Sequence, residues 1–114
     1  MLPKTLKNEN ESIVEKVRGE LPSDEMLEKT RQIFSVLSEP KRLQIVLALL
    51  KGELCANQLI AVCGTEQSAV SHQLRVLRDN KIVRSRRVGK NMVYSIADEH
   101  VRAIVETALS HANC

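Results

Sequence analysis

Tryptophan is absent from this 114-residue chain, and phenylalanine and tyrosine occur once each. Its core must therefore be aliphatic, which suits a small helical fold whose packing is shared by two copies. No apolar run approaches the roughly 20 residues that a membrane-spanning helix needs. Met1 to Asn10 also lack the apolar stretch of a signal peptide, so a cytoplasmic protein is expected. Three cysteines in such a compartment point to thiols or metal ligands rather than disulfides. Repeats, low-complexity tracts and long linkers are missing as well, and the length leaves no room for a second core. The net charge of +3 is too small to name a partner, but its distribution is uneven. Arg75 to Lys90 holds seven Lys/Arg and one acid, Asp79, and a local basic segment attracts phosphate backbones.

The pattern along the chain predicts a mainly α fold with one β-hairpin. Residues 1–22 read as a polar, flexible arm with a short helix from Glu11 to Glu20, ended by Gly19 and Pro22. Residues 23–114 read as the folded domain. Ser23 and Asp24 cap a second helix, with Leu27, Thr30, Ile33, Phe34 and Leu37 at helical spacing. Ser38 is the expected cap of a third helix carrying Pro40 in its first turn. That helix is apolar nearly all round and so central to the core. A short helix from Cys55 to Cys63 stops at Gly64. The next, with Thr65 as its cap, runs from Glu66 to Asp79. Two short helices joined by a tight glycine turn form a helix-turn-helix. Val83 to Val88 and Met92 to Ile96 follow as strands joined at Gly89-Lys90-Asn91, which makes the hairpin a wing. A last helix runs from about Asp98 to the end.

The Glu66–Asp79 helix places Ala69, Val70, Leu74 and Leu77 inward and a distinctive polar set outward. Soluble helix faces are usually dominated by Glu and Lys. This one carries Gln67, Ser68, Ser71 and His72, short groups able to reach base edges in a major groove. Arg75 along the helix, and Arg86, Arg87 and Lys90 on the wing, suit phosphates or the minor groove. His72 has no ligand-type residue at i±3 or i±4, which favours a DNA contact over metal ligation.

Asp98, His100, His111 and Cys114 are all good ligands for zinc or cobalt. Eleven residues advance a helix by three turns plus about 20°, so His100 and His111 share a face, with Cys114 one turn beyond. They are also separated by about 16 Å along the axis. Metal–ligand bonds are only about 2 Å long, so one ion cannot reach both histidines within a chain. Antiparallel pairing of two such helices brings Asp98 and His100 of one copy to His111 and Cys114 of the other, at two equivalent sites. Val101, Ile104, Val105, Ala108 and Ala112 form an apolar stripe about 100° wide beside this row, suited to burial against a partner.

Several stretches resemble the ArsR/SmtB family of metal-sensing repressors: Leu37-Ser38-Glu39-Pro40-Lys41-Arg42-Leu43, Gly52-Glu53-Leu54-Cys55, and Ser68-Ala69-Val70-Ser71-His72-Gln73-Leu74-Arg75-Val76-Leu77, followed by a wing with Gly89 and Tyr94. The likeness extends from about Leu27 to His111. It implies a homodimeric winged helix-turn-helix repressor that binds a double-stranded, imperfectly palindromic operator and lets go when metal binds. Asp98, His100, His111 and Cys114 fall on the family's C-terminal-helix site for zinc, cobalt and some nickel sensors. Cys114 stands where the zinc sensors have His or Glu, and a thiolate extends the range toward cadmium. The resemblance also implies a link from the free ring nitrogen of His111 to the carbonyl of Lys81. Cys55 matches a ligand of a second family site, but Asn57 and Gln58 replace its companions and no Cys or His precedes Pro22. Cys55 is thus identified as a remnant.

Two rivals keep the fold: a thiol or redox switch using Cys55 and Cys63, and a DNA-binding repressor indifferent to metals. A zinc hydrolase or deaminase is disfavoured, because the four ligands leave no open position and no acid–base group accompanies them.

Overall fold

The computed structural model describes the backbone of residues 4–114 and the side chains from Glu9 onward; the expectation of a loose start at Met1 to Pro3 lies outside the described residues. Two compact units are present, Met1–Arg31 and Gln32–Cys114. In the first, helix α1 spans Lys4–Glu20 and so starts before the expected Glu11. It ends one residue before the Leu21-Pro22 pair, where the proline ring disfavours helical backbone in the residue ahead of it. Helix α2 (Asp24–Ser38) begins as expected: the Met26 amide donates to Ser23 Oγ at 3.2 Å, and Asp24 and Glu25 occupy the positive end of the helix. All side chains from Glu9 to Arg31 are exposed, including Ile13, Val17, Leu21 and Leu27.

The second unit continues α2 into α3 (Pro40–Leu49), β1 (Leu54–Cys55), α4 (Ala56–Cys63), α5 (Gln67–Asp79), the hairpin β2 (Val83–Val88) and β3 (Asn91–Ile96), and α6 (Glu99–Ala112). Its core is aliphatic apart from Cys63 and contains no buried polar side chain among the described residues. Ile45, Val46 and Leu49 of α3, Leu59 of α4, Val70 and Leu77 of α5, and Val101 and Val105 of α6 supply it. Full burial of each such side chain stabilises by about 1.5–3 kcal/mol. The sheet is three-stranded, in the order β1-β3-β2, all antiparallel. Strand β1, which pairs Leu54 with Tyr94, is too short for its sequence to have signalled it. Strand β3 is the central strand, and Met92 to Ser95 on it are all half-buried.

Local signals were read correctly in kind but not always in residue. Glu39, not Ser38, caps α3: its carboxylate accepts from the Arg42 amide at 2.9 Å, whereas Ser38 Oγ donates back to the Ser35 carbonyl. Glu66 occupies the cap position of α5 without a side-chain bond, so Thr65 does not serve there. Of the α2 residues at helical spacing, Leu37 is buried and Ile33 half-buried, while Leu27, Thr30 and Phe34 are exposed. The hairpin turn is the two-residue Gly89-Lys90, since Val88 pairs directly with Asn91. Gly89 adopts φ 61°, as such turns require.

The end of α5 is closed by a double bond to the helix: the Lys81 amide donates to the Arg78 carbonyl at 3.0 Å and the Ile82 amide to the Leu77 carbonyl at 2.9 Å. That Schellman arrangement places Lys81 at φ 59°, a left-handed position usually taken by glycine.

Replacing Lys81 by Gly should relieve this backbone and stabilise the fold by about 0.5–1 kcal/mol after the greater freedom of the unfolded glycine is counted; urea unfolding measures it. Glu39 generates a pH dependence. The Arg42 amide lowers the pKa of its carboxyl below the ordinary value, so its contribution is present above the unfolded pKa and is lost as pH falls through the lowered folded one. Glu39→Gln should therefore be less stable than wild type at pH 7 and should converge with it in acid; a gap that does not narrow as pH falls through the carboxylate range contradicts this assignment.

Candidate DNA-reading face and metal centre

Gly64, at φ 61°, ends α4 by donating its amide to the Ile60 carbonyl at 2.9 Å and turns the chain into α5. Buried Val70, Leu74 and Leu77 seat α5 on the core. Gln67, Ser68, Ser71, His72 and Arg75 then stand exposed on its outer side, as their spacing predicts. Ala69 departs from expectation: it is exposed and borders a small cleft with Lys41, Cys63 and Gln73.

The strand register separates the wing arginines. Arg87 lies on the same side of the hairpin as Val83 and Ile96, whereas Arg84 and Arg86 lie on the other. Arg86 is engaged within the chain, its Nη2 donating to Glu53 Oε2. Arg87 and Lys90 are exposed at the hairpin tip. The exposed position of the Arg86–Glu53 pairing makes it weak, so it opposes a phosphate contact by Arg86 little.

Asp98 caps α6 by accepting the Val101 amide on Oδ1 at 3.0 Å, and the same oxygen lies 3.6 Å from His100 Nδ1. The cap thus positions the carboxylate beside the imidazole. At the other end, two residues past the helix, the Cys114 amide donates to the His111 carbonyl at 3.3 Å. All four side chains are exposed, and no three His, Cys, Asp or Glu side chains among the described residues converge within one copy. The donor set of one carboxylate, two imidazoles and one thiolate suits a borderline-soft divalent ion.

The apolar stripe of α6 divides in two. Val101 and Val105 are buried in the protomer's own core, a correction to their expected place at a partner. Ile104, Ala108, Leu109 and Ala112, with Val105 at its floor, line an open groove of about 490 Å³ with Phe34, Leu43 and Leu47. Phe34, the chain's one phenylalanine, is 59% exposed there. An apolar surface of this kind marks an interface with another protein.

All three cysteines are free thiols. Burial pushes the pKa of the Cys63 thiol up, which starves it of the thiolate that redox chemistry requires. Sequence reasoning missed Arg42, Gln73 and Glu53. Their partners lie more than 30 positions away, beyond any local signal.

Base and phosphate contacts predict different losses. His72→Ala should lower affinity by about 1–3 kcal/mol and relax preference at one base position. Arg87→Ala should weaken binding evenly across sequences and reduce the salt slope by about one. Fluorescence anisotropy on a duplex series with single base changes, at several salt concentrations, separates the two; equal profiles for both variants contradict the assignment.

Residues 39–85 match the family described as "Bacterial regulatory protein, arsR family". A transcriptional repressor SmtB homolog of Synechocystis is 41% identical over 86% of this chain and 74% of its own length. A cadmium resistance transcriptional regulatory protein CadC homolog of Staphylococcus aureus is 37% identical over 70% of this chain and 67% of its own. Among solved structures, the antimony-specific transcriptional repressor AntR superposes with a TM-score of 0.74 at 34% identity, covering 82% of this chain and 86% of that one. The homodimeric winged helix-turn-helix domain Mb0332 of Mycobacterium bovis superposes with a TM-score of 0.75 at 26% identity, covering 81% and 88%. No described helix is long and apolar enough to cross a membrane. The chain belongs to the arsR family of bacterial regulators: it is a winged-helix DNA-binding transcriptional regulator and not an enzyme.

Proposed function

We propose that this regulator is a metal-responsive repressor. It binds a double-stranded, imperfectly palindromic operator as a homodimer and releases it when zinc, or similarly cobalt, nickel or cadmium, is bound across the dimer. Asp98 and His100 of one subunit and the partner subunit's His111 and Cys114 would hold the ion. The observation that carries the reading is the disposition of donors at the two ends of α6, beside an exposed apolar groove. Relatives that include an SmtB repressor homolog, a cadmium resistance regulator homolog and an antimony-specific repressor support it.

Bound there, the ion supplies a bond between the start of one α6 and the end of the other. The chain's own residues carry the consequence inward. Val101 and Val105 anchor α6 in the core that also seats α5, and Arg102 Nη1 donates to the Leu50 carbonyl at the end of α3 at 3.2 Å. A change in how two α6 helices pair therefore moves each α5 with its own body. DNA requires the two reading helices about 34 Å apart for half-sites one turn apart. A pairing geometry that misses this spacing makes the two ligands antagonists. Near-complete switching needs about 5.5 kcal/mol of differential affinity, about half of it per site if the two share equally. Asp98 retains Oδ2 for an ion while Oδ1 holds the Val101 amide. The carbonyl of Lys81, at the end of α5, is the proposed acceptor for the free ring nitrogen of His111.

Cobalt(II) titration followed by absorption tests the ligand set. Tetrahedral bands with a sulfur charge-transfer feature are expected, the latter lost in Cys114→Ser. Asp98→Asn should keep helix stability and lose metal affinity by at least the roughly tenfold typical of a weakened site. His100→Ala should bind DNA and ignore zinc, and zinc-driven release persisting in that variant overturns the proposal.

A further inference from the structure

The side chain of Arg42 joins three helices. From α3, its Nε donates to the Val36 carbonyl in the last turn of α2 at 2.8 Å, and its Nη1 donates to Gln73 Oε1 in α5 at 3.1 Å. Its amide is held in turn by Glu39. Arg42 and Gln73 are both half-buried, so these bonds are shielded from competing water more than the exposed ion pairs elsewhere in the chain. The guanidinium is a rigid planar fork, and hydrogen bonds from a charged donor are roughly twice as strong as neutral ones.

The two kinds of contact on α5 specify different things. Val70, Leu74 and Leu77 seat the helix by apolar burial, which is non-directional and tolerates a small rotation about the helix axis. Hydrogen bonds weaken steeply with misalignment. Gln73 is the neighbour of His72, about 100° around the helix from it. A directional bond to Gln73 therefore sets the angle at which Ser68, Ser71 and His72 meet the DNA, and bidentate or single base contacts depend on that angle far more than phosphate contacts do.

We propose that Arg42 is a positioning residue: through Gln73 it fixes the rotation of α5 and governs sequence-specific DNA affinity while leaving non-specific affinity alone. This rests on α5 being the DNA-reading helix and is independent of the metal switch. The probe is a duplex selected by the wild-type, metal-free protein from a randomised 30-base-pair pool, about the length of a two-half-site operator, with a shuffled duplex of the same composition as control. Arg42→Met and Gln73→Leu should each bind the selected duplex about tenfold more weakly. Both should bind the shuffled duplex within about twofold of wild type with an unchanged salt slope. The double variant should lose no more than the larger single loss, because both substitutions break the same link. Folded variants that keep the wild-type ratio of selected to shuffled affinity overturn the proposal, and so does a double variant whose loss is the product of the single ones. If Arg42→Met fails to fold by circular dichroism, Gln73→Leu decides alone, since it leaves the Arg42–Val36 bond in place. Failure of the wild type to select any duplex would overturn the DNA-reading assignment itself, an outcome distinct from equal binding by the variants.

Discussion

Leu49, Leu77, Val101 and Val105 come from three different helices and meet in one aliphatic core without a polar group inside it. The behaviour of the regulator depends on that shared burial. A close-packed apolar interior transmits displacement rather than absorbing it, and α3, α5 and α6 all contribute to this one. Apolar packing alone would leave the relative rotation of these helices loosely set. Directional bonds at its margin supply the missing angles: Arg42 to Val36 and Gln73 on one side, Arg102 to Leu50 on the other. The first holds the reading helix and the second holds the helix whose ends carry the metal-type donors.

Helix α6 serves two surfaces with one sequence. Val101 and Val105 are buried in the protomer and Ile104 packs half-buried against the same core, while Ile104, Ala108, Leu109 and Ala112 line the groove shared with Phe34. A stripe only one residue wide could not do both. Its breadth of about 100° is what lets one edge enter the core and leaves the other facing the groove. Under the proposed pairing of two copies through this groove, the contact would act on the same helix that is built into each reading unit, which is the physical basis for the proposed coupling of dimer to DNA.

Some residues carry two duties, and that economy shapes the chemistry. Asp98 caps α6 and stands beside His100, so the helix start is held firm at the donors of the proposed metal site. Lys81 accepts a left-handed backbone to finish α5, and non-glycine residues in that conformation concentrate where surrounding structure over-determines them. Arg86 rests on Glu53 while it is free of DNA, which keeps a flexible cation from wandering without binding it tightly.

Much of this was legible in the sequence because it is local. The 3.6-residue period placed α3 and α5, the alternation of the wing placed β2 and β3, and Gly64 and Gly89 marked the turns where φ is positive. Neighbouring candidates for one role were harder to separate: Glu39 displaced Ser38 at the start of α3 because its longer carboxylate reaches the Arg42 amide. Periodicity identifies an apolar face but cannot say which body covers it. That is why the apolar positions Phe34 and Leu27 of α2 lie exposed, and why Val101 and Val105, expected at a partner, lie in the protomer's own core. The strand β1, the Glu53–Arg86 pair and the Arg42–Gln73 link join positions more than 30 residues apart. Sequence by itself determined the winged helix-turn-helix and the outward face of its reading helix, since those follow from short-range spacing. Tertiary structure alone decided what holds that helix at its angle, because a directional bond exists only once two distant side chains have been brought within reach.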